Sequence, residues 1–464
     1  MLTIFPTDRT MNRRAMLTVG SLGLGGLSLS HLLAANEEKP ITTGKSVIFL
    51  LQHGGPTQFE TFDPKMDVPD GIRTVGGVTQ TRIPGVTFGS TMQHLAGLAD
   101  RCAIVRSYQS GSNGHSTRPI IGEASLKANM GSLFARLAGT NHPQTGMPMN
   151  VTLYPNSVDP QALGADDRFG KFTQTGTLAK SYEPFVPGGG SELQKNLQLA
   201  FPVERFQDRR ALLSALDKLK SEVDASGTLE GLDRFRQQAY EMVVQGVAKS
   251  FDLSEESPGT IARYDTSQWI NEKAYAHKSN GDSKRRWYQN NAQTLGKLLL
   301  MARRLCEAGC GFVTITTRFV WDMHADRNNL GVAKGMDAVG APFDHAVSAF
   351  IEDCETRGLG DKIMLVSTGE MGRTPRINKN GGRDHWGGLT PLLLYGGGIT
   401  HGQVIGRSER DGSKPASSAY NSSNLLGTIM HTLFDIGELR IKQGLPNDLV
   451  RHITSAAPIP GLHG

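Results

Sequence analysis

The stretch KIMLVSTGEMGRTPRINKNGGRDHWGGLTPLLLYGGG, residues 362–398, places two apolar segments on either side of a loop rich in glycine and ionisable side chains. Residues 363–366 and 391–395 are short, continuous apolar runs, which are typical of strands buried on both faces of a parallel sheet. Open α/β sheets bind ligands beyond the carboxyl ends of their strands, so the loop between the two runs predicts a functional site. The candidate side chains in this loop are Glu370, Arg373, Arg376, Arg383, Asp384, His385 and Trp386.

The same alternation of apolar runs and helical patterns extends outward in both directions. Further strands are predicted at residues 46–51, 102–106, 151–154 and 311–316. Helices are predicted at residues 91–99, 291–307, 341–357 and 424–434, and a short hairpin at residues 74–89. Helices of this length between apolar strands are what right-handed parallel crossovers require, so the sequence predicts an α/β fold with a mostly parallel sheet.

The middle of the chain breaks this pattern. Residues 156–190 read as loop, and residues 203–225 and 229–251 as two amphipathic helices with charged outer faces. We therefore expect a helical insertion at about residues 155–285.

The N-terminus carries a separate signal. Arg13 and Arg14 precede a short, glycine-rich apolar run at residues 17–33, and a polar segment follows. This resembles a twin-arginine export signal at residues 1–35, and a membrane anchor is the alternative. We expect the twin-arginine export machinery to deliver the mature domain, residues 36–464, to the periplasm or the extracellular space, with no stable membrane span after processing.

Composition narrows the functional classes. A formal charge of +5 over 464 residues, with no block of lysine and arginine, gives no support to nucleic-acid binding. The four cysteines form no C-x-x-C pair and predict buried thiols rather than a disulfide framework: Cys102, Cys306, Cys310 and Cys354.

Four predicted strand-end loops contain potential metal ligands. These are Glu60, Asp63, His115, Asp322, His324, Glu370, Asp384 and His385. Carboxylates mixed with imidazoles suit divalent ions such as zinc or manganese, and eight candidates are enough for two ions. Two such ions can stabilise an in-line displacement at phosphorus or sulfur, while arginines hold the remaining anionic oxygens.

Several motifs in these loops resemble a known family. They are HGGPTQFETFDPK (residues 53–65), WDMHADRNN (321–329), GEMGRTPRIN (369–378), GRDHW (382–386) and GGGITHGQVIG (396–406). Together they resemble the exported bacterial family of domain of unknown function 1501, which is related to sulfatases and placed in the alkaline phosphatase superfamily. The resemblance implies an alkaline-phosphatase-like three-layer sandwich with helices on both faces of the sheet and metal ligands on the strand-end loops.

Site roles follow from this resemblance position by position. Asp322 and His324 would belong to one metal site, although the usual spacing is D-x-x-x-H, and His385 would be the final histidine ligand, with Asp384 beside it. Glu370 stands where an Asp-His pair usually follows a strand. At the end of the first strand, where an aspartate is usual, this chain has Gln52-His53, which leaves Glu60 or Asp63 as the ligand.

The nucleophile and the anion-binding group are less defined. Sulfatases use a modified Cys or Ser in C/S-x-P-x-R, whereas residues 116–119 read Ser116-Thr117-Arg118-Pro119. Ser116 or Thr117 would attack, and His115 would be either a catalytic group or a ligand. Arg118, Arg373 or Arg383 would bind the anion.

The leading hypothesis is an exported metal-dependent hydrolase of phosphate or sulfate esters. It would use divalent metal, two ions of zinc, manganese or calcium, and act on an anionic small-molecule or glycan ester. The alternative is a non-catalytic module that binds an anionic glycan or a partner protein. The two hypotheses differ in metal content, because the binding module need not hold an ion.

Overall fold

In a computed structural model of the protein, residues 39–188, 247–275 and 283–463 are described. Contacts divide the chain into Met1–Ile41 and the compact unit Thr42–Gly464, which contains all the described strands and helices. The predicted signal at residues 1–35 lies outside the described residues. Among the described helices, none is long and apolar enough to cross a membrane.

A seven-stranded sheet forms the centre of this unit. In chain order, the strands of the described residues are β1 (Ser46–Leu51), β2 (Val78–Gln80), β3 (Thr87–Gly89), β4 (Cys102–Val105), β5 (Tyr108–Gln109), β6 (Asn150–Leu153), β7 (Phe312–Thr316), β8 (Ile363–Thr368), β9 (Gly372–Ile377), β10 (Arg383–Trp386), β11 (Leu392–Gly396), β12 (Gln403–Ile405) and β13 (Tyr420–Asn421). The strands of the seven-stranded sheet lie in the order β12-β4-β11-β8-β1-β7-β6.

Strand β1 is the middle of the parallel part of the sheet. Val47 pairs with Phe312 of β7 on one side and with Met364 of β8 on the other. All six β1 residues are buried, as expected for a strand that is covered on both faces. The predicted strands at residues 46–51, 102–106, 311–316 and 363–366 are confirmed within one or two residues of their ends.

The strand predicted at residues 391–395 exists, but its predicted parallel direction is wrong. Strand β11 runs antiparallel to both β8 and β4. The chain between β8 and β11 forms only the β9–β10 hairpin, with no crossover helix to return it to the other edge of the sheet. Strand β11 therefore starts at the edge where β8 ends.

Helices pack on both faces of this sheet. The α-helices of the described residues are α1 (Gln93–Ala96), α2 (Met130–Ala138), α3 (Pro258–Arg263), α4 (Ser283–Glu307), α5 (Val332–Gly335), α6 (Ala341–Thr356), α7 (Ser422–Leu433), α8 (Ile436–Ile441) and α9 (Asn447–Ser455). A π-helical segment, Met336–Gly340, joins α5 to α6.

Alternate side chains of the strands face different helices. Ile48 and Leu50 of β1 share a core with residues of α4 and α6, among them Leu298 and Phe350. On the other face, Thr432 of α7 contacts Met364 of β8. The prediction of an α/β fold with a mostly parallel sheet and helices on both faces is confirmed.

The predicted insertion is described only in part. Residues 189–246 and 276–282, which include most of the two predicted amphipathic helices, lie outside the described residues. In the described part, residues 155–188 are mostly loop with two short 3₁₀ turns, and residues 247–251, the end of the second predicted helix, form a 3₁₀ turn. The four cysteines are free and buried, as predicted.

Candidate metal centre

The strand-end loops that the sequence singles out meet at one edge of the sheet. Asp322 and His324 follow β7, and Glu370 follows β8. His115 lies in the loop after β5, and His385 lies on β10, opposite Arg373 of β9. Parallel strands bring their carboxyl ends to the same edge, so residues that are far apart in sequence become neighbours here.

Three histidine Nε2 atoms converge on the Asp322 carboxylate. The Nε2 atom of His324 lies 2.9 Å from Asp322 Oδ1, that of His385 lies 3.5 Å from the same oxygen, and that of His115 lies 3.4 Å from Oδ2. The Nε2 atoms of His324 and His385 are 2.8 Å apart. Within the described residues, His115, Asp322 and His385 form a group whose ligand atoms all lie within 4.8 Å of one another. We call His115, Asp322, His324 and His385 the histidine cluster.

Two carboxylates orient the rings of this cluster from behind. Glu370 Oε1 lies 2.9 Å from His115 Nδ1, and Asp384 Oδ1 lies 3.1 Å from His324 Nδ1. A carboxylate on Nδ1 fixes the tautomer and leaves Nε2 facing the common centre, as is usual for histidines that bind metals. The sequence predicts Glu370 and Asp384 as ligands, whereas their contacts place them behind the ligands.

Glu370 is itself held by the glycine turn after β1. The Gly54 N–H donates to Glu370 Oε1 at 2.9 Å, and the carboxylate is fully buried. Gly54 has a φ of 116°, and a Cβ atom there would lie 2.6 Å from the Asp322 backbone nitrogen. The HGG sequence thus needs glycine at this position because the turn packs directly against the chain that carries Asp322.

Arg373 anchors the other side of the Asp322 carboxylate. Its Nη2 donates to Asp322 Oδ1 at 2.9 Å, its Nε donates to the Gly55 carbonyl at 2.8 Å, and it also donates to the Gly54 carbonyl. The guanidinium is fully buried. The sequence predicts that Arg373 binds an anion of the substrate, but in the structure Arg373 binds the Asp322 carboxylate.

The electrostatics of the cluster follow from its single central carboxylate. Burial alone would raise the pKa of Asp322, but hydrogen bonds with His115, His324 and His385 hold it well below its usual range. The hydrogen bond with Asp322 raises the pKa of His324 despite its burial. For His385 burial dominates and lowers the pKa. Without a metal, the cluster therefore holds its carboxylate charged and draws protons onto His324 before His385.

His53 is a buried neighbour that the sequence does not single out as a site residue. Its Nε2 atom lies 3.9 Å from Glu370 Oε1, and its ring packs 3.9 Å from the Phe319 ring, centroid to centroid. Burial lowers the pKa of His53 to about 4, so the ring is neutral at pH 7. No hydrogen-bond partner of this Nε2 atom occurs among the described residues. Its position two residues after the end of β1 is the sequence signal that could have identified it.

Glu60 and Arg383 form a separate buried pair. Arg383 Nη2 donates to Glu60 Oε1 at 2.9 Å, and the guanidinium lies 4.1 Å from the Phe59 ring centroid. The same Nη2 also donates to Ile72 O at 3.0 Å and Arg73 O at 3.1 Å, and Nη1 donates to Thr374 O at 3.3 Å. The structure therefore does not bring the predicted ligand Glu60 or the predicted anion-binding Arg383 into the histidine cluster. Because a buried charge is costly unless it is paired, these two side chains neutralise each other.

Asp63 is also engaged elsewhere. Its Oδ1 atom lies 3.0 Å from Lys65 Nζ and 3.5 Å from Arg106 Nε, and its Oδ2 atom accepts from Ser408. Both carboxylate oxygens thus hold the segment after β1 against neighbouring loops, away from the histidine cluster.

The hydroxyl candidates flank His115. Ser116 is half-buried, with its Oγ donating to Ser112 Oγ at 3.2 Å. Thr117 is buried beneath Gly170, where a Cβ atom would lie 2.7 Å from the threonine methyl group. The Arg118 guanidinium donates to the Gly111 carbonyl in its own loop at 2.6 Å. Ser116 is thus the more accessible of the two hydroxyls.

The donor set determines which ions the centre suits. Imidazole nitrogens with one carboxylate are typical ligands of zinc, and they also suit manganese and iron. The ligand atoms of His115, Asp322 and His385 all lie within 4.8 Å of one another, a spacing that one ion could span. The fold and this group of side chains together define an α/β protein with a candidate metal site where its strands end.

The chain belongs to the family described as "Protein of unknown function (DUF1501)", whose model matches residues 44–452. Among curated proteins, no match to the chain was found.

Solved structures that are similar to the chain at low sequence identity include the following three. A sulfatase from Pseudoalteromonas sp. is 12% identical, with 86% of this chain and 70% of that chain covered and a TM-score of 0.32. The lipoteichoic acid synthase LtaP from Listeria monocytogenes is 10% identical, with 89% and 76% covered and a TM-score of 0.32. A phosphonate monoester hydrolase from Silicibacter pomeroyi is 12% identical, with 90% and 78% covered and a TM-score of 0.30. Because these TM-scores are low, the fold is described from the sheet order of this chain, and the site from the side chains of this chain.

Proposed function

We propose that the protein is an exported, metal-dependent hydrolase of phosphate or sulfate esters. The observation that carries this proposal is the convergence of three histidine Nε2 atoms on Asp322 at the carboxyl edge of the sheet. Imidazoles whose Nδ1 atoms are held by carboxylates are arranged for an ion rather than for internal packing. A bound divalent ion stabilises negative charge that develops on phosphoryl or sulfuryl oxygens.

The residues of the chain supply orientation and charge balance. Glu370 and Asp384 keep Nδ1 of His115 and His324 occupied, so that both rings present Nε2 to the centre. Arg373 fixes the Asp322 carboxylate from the protein side. Such preorganised groups act without rearranging during the reaction, which is how electrostatic stabilisation lowers a barrier.

Ser116 is our candidate nucleophile. It follows His115 directly, and its hydroxyl is half-buried rather than covered as that of Thr117 is. Ser116→Ala should then reduce the rate far more than Thr117→Ala. If both variants keep the full rate, neither hydroxyl attacks the ester.

The direct test is hydrolysis of an aryl phosphate and an aryl sulfate, with zinc, manganese and calcium added separately. We expect turnover with at least one ion, and its loss in Asp322→Asn. His401→Gln is the control, because His401 is exposed and bonds to Asp100 O beside the start of β4, at the opposite edge of the sheet.

Metal analysis separates this function from the alternative. If wild type holds an ion but turns over neither ester, the non-catalytic module that binds an anionic glycan or partner protein becomes the better account. If wild type binds no ion, the hydrolase proposal fails. Export is tested separately, since replacing Arg13 and Arg14 with lysine should retain the precursor in the cytoplasm.

A further inference from the structure

Both central arginines of the motif loops are unavailable to a substrate. Arg373 and Arg383 are fully buried and direct their donors to carboxylates and backbone carbonyls. An anionic substrate needs cationic groups that reach solvent, so its binding group must lie elsewhere around the histidine cluster.

A cationic patch lies beside the cluster, built from residues distant in sequence. Arg168 Cζ lies 5.0 Å from the Trp287 ring centroid, Arg318 Cζ lies 5.6 Å from it, and Lys284 Nζ lies 4.4 Å from it. The two arginines share the Asp166 carboxylate: Arg168 Nη2 lies 2.7 Å and Arg318 Nη1 lies 2.9 Å from Asp166 Oδ2. Two guanidinium groups on a single carboxylate keep a net positive charge at this position.

Aromatic rings connect this patch to the histidine cluster. Phe319 contacts both sides, with its centroid 4.9 Å from the His115 ring and 5.6 Å from Arg168 Cζ. Phe169 lies 5.0 Å from the His115 ring, and its exposure of 42% is unusual for a large apolar side chain. An apolar surface that reaches solvent therefore lies next to both the cluster and the arginines.

The state of the arginines indicates a ligand site rather than a saturated ion pair. The Arg168 side chain is 57% exposed, although Asp166 is not. The Arg318 Nε atom is buried with no hydrogen-bond partner among the described residues. The buried pair Glu60–Arg383 has no such unused donor, since every nitrogen of that guanidinium donates.

We propose that Arg168 and Arg318 bind a second anionic group of the substrate, carried by its alcohol part, while an apolar face of that part packs on Phe169. This rests on the proposed function, and it defines the substrate class as esters whose leaving alcohol is itself anionic. Arginines recognise carboxylate, sulfate or phosphate through paired N–H donors, so any of these groups fits the patch.

The kinetic test compares two esters of similar shape. Both are phosphate or sulfate esters of a phenol. In the first, the phenol is 4-hydroxybenzoate, whose carboxylate is a second anion; in the second, it is methyl 4-hydroxybenzoate, which has no carboxylate. We expect wild type to favour the first by about tenfold in kcat/KM, the size of one charge-assisted hydrogen bond. Arg168→Gln should bring the ratio close to one, and Arg168→Lys should restore part of it.

Arg451→Gln is the matched control, because Arg451 is also an exposed arginine paired with an aspartate, Asp448. It should leave the ratio at the wild-type value. The unfolding midpoint of each variant shows whether it is folded, and Arg318→Gln provides a second, independent variant of the patch.

Calorimetry tests the patch without catalysis, with benzene-1,4-disulfonate and benzenesulfonate as probes of the metal-loaded protein. If the disulfonate binds more tightly than the monosulfonate and Arg168→Gln removes this difference, the patch is supported. If no ester is turned over in that case, only the hydrolase proposal fails. Ester turnover with equal rates and equal affinities for the paired compounds would overturn the patch and leave the hydrolase proposal standing.

Discussion

Two groups of charged residues lie at the same edge of the sheet, and they behave in opposite ways. The pair Glu60–Arg383 is fully buried, and each of its charged groups is satisfied by the other and by backbone atoms. The histidine cluster is half-buried, and its imidazole Nε2 atoms crowd one carboxylate. Charged side chains thus stabilise the fold in the pair and leave ligand atoms available in the cluster.

The two groups differ in the partners of their hydrogen-bonding nitrogen atoms. Arg383 donates to Glu60 and to carbonyls of two other segments, which ties β10 to the loop after β1. The cluster instead uses Nδ1 for support and leaves Nε2 at the centre. An ion pair with all its donors used is structural, whereas converging ligand atoms indicate binding.

The largest effect should come from breaking the buried pair. Arg383→Leu leaves the Glu60 carboxylate buried without its cation, which costs about 3–5 kcal/mol of unfolding free energy. His385→Gln, by contrast, should change the unfolding free energy of the metal-free protein by less than about 1 kcal/mol. Urea unfolding in the presence of a chelator measures both.

Arg451→Leu is the control for that experiment, because it removes an exposed arginine that also pairs with an aspartate. Its unfolding free energy should equal that of wild type. A loss for His385→Gln as large as that for Arg383→Leu would mean that the cluster is a structural element like the pair.

A smaller effect should come from weakening the support behind the cluster. Glu370→Gln keeps the shape of the side chain but removes the charge next to His115 Nδ1. Loss of such a supporting partner lowers metal affinity by about tenfold or more. Competition with a chelator of known affinity measures it, and an unchanged affinity would show that Glu370 does not orient His115.

The exposed carboxylate of Asp384 should contribute less to metal affinity than the buried carboxylate of Glu370. The Asp384 side chain is 55% exposed, so water screens its contact with His324. Asp384→Asn should therefore lower metal affinity by only about twofold to threefold, in line with exposed ion pairs. The same chelator competition compares it with Glu370→Gln, and a larger loss for Asp384→Asn would reverse our assignment of the two carboxylates.

The smallest effect should be on pH dependence. Asp322 raises the pKa of His324 above its usual 6.5 in the folded protein. The stability that His324 contributes is then complete below pH 6.5 and is lost as the pH rises through the folded-state pKa. In the metal-free protein, the stability difference between wild type and His324→Gln should shrink as the pH rises above 6.5. A difference that grows over this range would contradict the assigned proton.

Much of the fold could be predicted from the sequence because the strands are continuous apolar runs. The strands at residues 46–51 and 363–366 are identified by that pattern alone, since both are buried on two faces. The direction of β11 could not be predicted in this way. Its apolar pattern is the same in either direction, and the connection before it decides which one occurs.

The site was only partly predictable for a related reason. Motifs identify residue types, and all three cluster histidines and Asp322 are among the predicted candidates. Burial and partners are not visible in a motif, so Arg373 and Arg383 look like substrate-binding groups although their donors face the protein interior. Arg168 and Lys284 come from segments without any such motif and become neighbours only in the folded chain.

The most direct measurement of the central claim is a crystal structure of the zinc-loaded protein with anomalous diffraction at the zinc edge. We predict a peak within the histidine cluster, at bonding distance, about 2.0–2.2 Å, from Asp322 and from Nε2 of at least two of the cluster histidines. Glu60 and Arg383 should remain paired and carry no peak. The absence of any peak at this cluster at saturating zinc, or a peak whose ligands lie outside the cluster, would contradict the metal centre.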